Sequence, residues 1–151
     1  MKMRQPRGTC VKQIDEPDVY YSVYWSRLSP VDRHEIHATV PSVAGVYELY
    51  YKDEKGKLVL FRLAMSWFSG VRVALREETD VEIVKDEIQK RILDERPCFY
   101  RYCEMRTEPD MLDVLYFLER TYMVGSEEYH HSGRYDKIYV TELSDDKIVM
   151  V

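Results

Sequence analysis

The feature that most constrains this chain is a pair of strand-forming runs, Gly45 to Tyr51 and Leu58 to Met65. They are separated by the polar segment Lys52-Asp53-Glu54-Lys55-Gly56-Lys57. Val, Leu, Tyr and Phe dominate both runs, which suits a pleated, half-buried surface, and a polar glycine-containing loop reverses the chain. The pattern predicts a β-hairpin. Cys98 to Met105, aromatic and set off by Pro97, reads as a third strand. The fold class expected is α/β of the α+β kind: a small mixed or antiparallel sheet from the hairpin and this strand, with helices packed against it.

The helices are read from periodicity and caps. A short helix is expected from Gly70 to Glu77, and Val81, Val84, Ile88 and Ile92 predict another over 81–94. Thr107 can cap a helix with Pro109 and Asp110 in its first turn, running to Val124 before Gly125. Ser29-Pro30-Val31-Asp32 predicts a helix capped by Ser29 and reaching about Ala38, with Pro41 beyond it. Residues 1–17 are polar and carry two prolines, so they read as an arm. Asp18 to Arg27 reads equally as a strand or a short buried helix. Lys137 to Leu143 and Lys147 to Val151 predict a final hairpin around Ser144-Asp145-Asp146. The domain expected is 18–151, with a core over 45–124.

At 151 residues and 45% hydrophobic content the chain can bury one core. The basic start Met1 to Arg7 is not followed by a signal-like apolar stretch, and no run approaches the roughly 18 residues of a membrane span. No membrane association and a cytoplasmic location are expected. Cys10, Cys98 and Cys103 are odd in number and lack metal-ligand spacing, so they read as reduced thiols. A net charge of −5 leaves no excess of Lys and Arg for phosphates. Nucleic acid could be held only through a local basic patch, or delivered by a partner. Thirteen tyrosines read mainly as packed rings with wet hydroxyls.

On a helical wheel started at Met111, Glu119 falls at about 80°, between Leu115 at about 40° and Leu112 at about 100°. It lies inside the apolar face, whereas Asp113 and Arg120 fall on the opposite side. A carboxylate there must be paired, hydrogen-bonded, metal-bound or set in a cleft, because burying it alone is costly.

Ala44-Gly45-Val46-Tyr47-Glu48-Leu49-Tyr50 followed by Gly56-Lys57-Leu58-Val59-Leu60-Phe61-Arg62-Leu63-Ala64-Met65-Ser66 resembles the two opening strands of GIY-YIG nucleases, with Gly45-Val46-Tyr47 as the first triplet. Ala64 then stands for the glycine of the second triplet, and Arg72 for the family's arginine on the following helix. Phe117-Leu118-Glu119-Arg120-Thr121-Tyr122-Met123 resembles the segment bearing the metal-binding glutamate. The resemblance implies Tyr47, Arg72 and Glu119 as catalytic residues, Glu119 as ligand of Mg²⁺ or Mn²⁺, and substrate contacts from Arg62, Ser66 and Arg76. The implied reaction is metal-assisted phosphodiester hydrolysis, in which an arginine fork steadies phosphate and a hard cation stabilises the developing charge.

The chain departs from that pattern. The second tyrosine is replaced by Arg62, or by Phe61 in a slipped register, Ala64 replaces a glycine, and the chain contains no asparagine. Losing groups that position substrate and water is expensive in rate. The favoured reading is therefore a GIY-YIG-like domain whose active site is weakened or lost and which binds nucleic acid or a protein partner. The alternatives are an active divalent-metal endonuclease acting on DNA or RNA, and a structural domain with no nucleic-acid role.

Other motifs carry less. His34-Glu35-Ile36-His37 is shorter than metalloprotease spacing, and His130-His131 beside Ser132-Gly133-Arg134 reads as a solvated turn. Cys98 and Cys103 point to opposite faces of a strand.

Overall fold

Both strands of the predicted hairpin form, and the first of them becomes an interior strand of a sheet. The computed structural model describes residues 6–122 and 128–144. Strand β4 (Gly45–Lys52) pairs antiparallel with β5 (Leu58–Ser66) on one side and with β6 (Cys98–Glu104) on the other. A two-residue strand β3 (Ser29–Pro30) completes the order β3-β6-β4-β5. The first six residues of β4 are all buried, because the strand has neighbours on both edges and cover on both faces.

Alternation along β4 divides its side chains between two layers. Val46, with Leu63 and Cys103, packs against Met111, Val114, Leu115 and Leu118 of helix α4 (Glu108–Tyr122). Tyr47 and Leu49, with Ala64 and Tyr100, pack against helices α1 (Arg33–Thr39) and α2 (Gly70–Glu78). Gly45 begins β4 where a side chain cannot fit, since an added Cβ would sit 2.2 Å from the carbonyl oxygen of Cys103.

The segments outside 45–124 build a second sheet. Strand β1 (Thr9–Asp15) pairs antiparallel with β2 (Asp18–Tyr24), and β2 pairs parallel with β7 (Ile138–Leu143). Val19, Tyr21, Val23 and Trp25 then cover the side of α4 that faces away from the larger sheet. The layers run three-stranded sheet, α4, four-stranded sheet, and then α1 with α2. The α+β class holds, with four helices and two sheets among the described residues.

Several expectations are corrected. Residues 9–15 of the expected arm are a strand, and its polar composition reflects an exposed edge position. Residues 18–24, left open between strand and helix, are a strand. The first helix is capped by Asp32, whose side chain accepts from His34 N and Glu35 N, while Ser29 and Pro30 pair with β6. The helix expected over 81–94 is α3 (Glu87–Glu95), because Asp86 caps it and Asp80 gathers residues 83 and 84 into a turn. Residues 147–151 of the expected final hairpin lie outside the described residues. No helix among the described residues is long and apolar enough to cross a membrane.

Candidate functional site

Tyr47 projects from β4 towards the end of α2 and is 3% exposed. Its hydroxyl donates to Glu78 Oε2 at 2.9 Å, and Arg62 Nε on β5 donates to the same oxygen at 2.8 Å. Glu78 sits in the last turn of its helix, where the macrodipole disfavours an acid, and these two donors offset that penalty. Gln89 of α3 adds a bond to the Glu78 carbonyl at 2.9 Å. Arg62 Nη1 also lies 3.8 Å from Glu128.

Burial, and then the Glu78 carboxylate, push the Tyr47 phenol well above its ordinary range. A tyrosine serves as a base only when its proton affinity is lowered; here it is raised, so Tyr47 is held as a donor. Burial works against the Arg62 charge, but the hydrogen bond and charge of Glu78 more than compensate and keep its proton more firmly than usual. Burial also drives Tyr129 up, with Arg62 opposing and Glu128, Glu119 and Glu78 adding, to about 12.

Glu119 is 3% exposed on α4, on the opposite side of the larger sheet from Tyr47. Its Oε1 accepts the Tyr129 amide at 3.1 Å and lies 3.9 Å from Arg120 Nη1. The glutamate thus anchors the segment after α4. No group of three or more His, Cys, Asp or Glu that could hold a metal exists among the described residues. A hard cation held by one carboxylate keeps several waters, and Glu119, 3% exposed with one oxygen bonded to the Tyr129 amide, leaves no room for that shell, so the site does not fit the ion.

Arg72 points elsewhere again. Its Nε donates to the carbonyl of Val40, the C-cap of α1, at 2.6 Å, so the cation satisfies the negative end of that helix. Ser66 Oγ is 3.0 Å from Ser69 Oγ at the turn from β5 into α2. Arg76 lines a cleft between α1 and α2. Tyr47 and Arg62 are therefore brought together on Glu78, Glu119 is linked to their surroundings only through Tyr129, Arg72 and Ser66 are engaged elsewhere, and Arg76 lies in the α1–α2 cleft.

Sequence reasoning missed Glu78, and the signal was an acid placed against its own helix dipole. It also missed Asp113, which is fully buried although the wheel put it opposite the apolar stripe. Asp113 accepts the Ser132 amide at 2.7 Å and lies 2.9 Å from the Tyr21 hydroxyl and 3.0 Å from Arg134 Nη2. The turn from β5 into α2 also presents Trp67 and Phe68 to solvent, the latter 96% exposed.

Neither a curated protein nor a solved structure matches the chain. A family model described as an uncharacterised protein matches residues 9–151, and the chain belongs to that family.

Proposed function

We propose that this chain is a GIY-YIG-like domain that binds single-stranded nucleic acid without hydrolysing it. What carries the reading is that Tyr47, Arg72 and Glu119 are each occupied by a different internal partner, Glu78, Val40 and Tyr129 respectively. The hairpin with a third strand against its first member supports the family resemblance. The exposed Trp67 and Phe68 support a surface on which bases stack, one of the two elements of single-strand binding. A cytoplasmic setting suits three free thiols.

The test is incubation of labelled single- and double-stranded DNA and RNA with the protein in Mg²⁺ and in Mn²⁺, with fluorescence anisotropy run in parallel. Single strands are expected to bind and stay intact, and Trp67→Ala with Phe68→Ala to weaken binding by about 1 to 3 kcal/mol per lost stack. Cation-dependent cleavage that disappears in Glu119→Ala would overturn the non-hydrolytic assignment. Absence of binding to every strand would overturn the rest.

A further inference from the structure

Most cations near the larger sheet are matched to a carboxylate or a carbonyl, as Arg62, Arg72 and Arg101 are. The cleft between α1 and α2 is different. A cavity of about 330 Å³ there is lined by Arg33, His34, His37 and Arg76, with no carboxylate among them. None of these four side chains makes an ion pair with a described residue, and Arg76 Nε is buried with no acceptor. A buried guanidinium N–H normally has a partner, and a pair of arginine forks matches the oxygens of a phosphate. Each imidazole carries at least one N–H donor whichever form it takes.

A second cavity of about 480 Å³ adjoins the first and shares Arg33 and Arg76 with it. Its apolar wall is Val31, Val73, Val81 and Ile83, and Ile83 is 53% exposed. Glu77, Asp80 and Glu82 also line this second space. Those carboxylates would repel a phosphate but can accept from sugar hydroxyls or exocyclic amines. The two cavities therefore sort a ligand by chemistry, with an anion at the Arg33/Arg76 end and a flat, apolar body bearing donors beyond it.

We infer that the α1–α2 cleft binds the phosphate monoester of a nucleotide, either free or at the end of a strand. The base and sugar occupy the slot walled by Val31, Val73, Val81 and Ile83. This goes beyond the stacking surface proposed above, since the residues lie outside the hairpin and the β5–α2 turn, and α1 precedes the GIY-YIG-like segment altogether.

Isothermal titration with a nucleoside monophosphate, the matching nucleoside and inorganic phosphate tests it, alongside 5′-phosphorylated and 5′-hydroxyl forms of one oligonucleotide. The monophosphate, the phosphorylated strand or both are expected to bind at least about tenfold more tightly than their unphosphorylated counterparts. Arg33→Ala and Arg76→Ala should each remove that preference, and Arg76→Lys, which keeps charge but loses the fork, should restore it only in part. Arg33 is exposed and neither arginine has an internal partner, so the melting temperature should hold. Arg91→Ala on α3 is expected to change nothing. Preference for the strand alone, or for the free nucleotide alone, identifies the source. Equal binding with and without the phosphate, inorganic phosphate binding as tightly as the monophosphate, a preference that survives both arginine substitutions, or no binding at all overturns the inference. Single strands that bind without regard to the terminal phosphate would remove this site while leaving the stacking surface intact.

Discussion

The Tyr47 hydroxyl donates to Glu78 across 2.9 Å, which fastens the middle strand of the larger sheet to the last turn of α2. Arg62 shares the accepting oxygen, so one carboxylate holds two strands and a helix together. Glu78→Ala should therefore leave a buried phenol and a half-buried guanidinium without their acceptor. A loss of about 2 to 3 kcal/mol is expected in equilibrium urea unfolding, and an unchanged midpoint would show that the carboxylate is dispensable.

A second buried carboxylate makes a sharper test. Glu48 is fully buried on β4, accepts from Arg101 Nε at 2.5 Å and from the Tyr50 hydroxyl at 2.9 Å, and Arg101 stacks 4.6 Å over the Trp25 ring. Removing one partner strands the other. Arg101→Ala should cost about 3 to 5 kcal/mol, whereas replacing both residues with apolar side chains of similar volume should cost much less. Comparing the two melting temperatures decides it, since equal losses would mean that packing, rather than an uncompensated charge, sets the penalty.

Gly45 tests the strand pairing. A methyl group there meets the backbone of Cys103, which cannot move aside without breaking the β4–β6 ladder. Gly45→Ala is expected to destabilise by about 3 kcal/mol or more. Circular dichroism during thermal unfolding reads this directly, and a native-like transition would mean that the two strands can separate at that end without cost.

Acid should loosen the contact between α4 and the N-terminal sheet. Asp110 is partly buried, which alone would raise its pKa, but hydrogen bonds from Arg134 and Lys12 pull it down to about 2. The folded value lies below the ordinary 3.8 of an aspartate. Its stabilising contribution is therefore complete above about pH 5 and is lost as pH falls through 2 towards about 1. Asp110→Asn should be less stable than the parent at neutral pH, and the gap should close in that window. A gap that persists undiminished at about pH 1 would refute the assignment.

The hairpin and the α4 helix were legible in the sequence because each is set by contacts among near neighbours, with alternation along 45–66 and period 3.6 along 108–122. Glu119 was rightly singled out as lying inside the apolar face. Asp113 was misread because a wheel assumes one buried face, and α4 is covered from both sides once β2 and β7 pack on it. That second sheet joins residues near 20 to residues near 140 in parallel, a pairing that no local pattern encodes. The metal and base roles implied for Glu119 and Tyr47 depend on which atom each side chain faces, and the Tyr129 amide and Glu78 are partners that spacing alone does not reveal.

The register of the smaller sheet has a topological consequence. Thr9 opposes Tyr24 from one side and Leu143 opposes the same residue from the other, so the outer ends of β1 and β7 lie about 10 Å apart, two strand spacings. A short peptide can bridge that gap. The strands could be spliced into a surface loop of a host protein, or joined to each other and reopened elsewhere, with every ladder preserved.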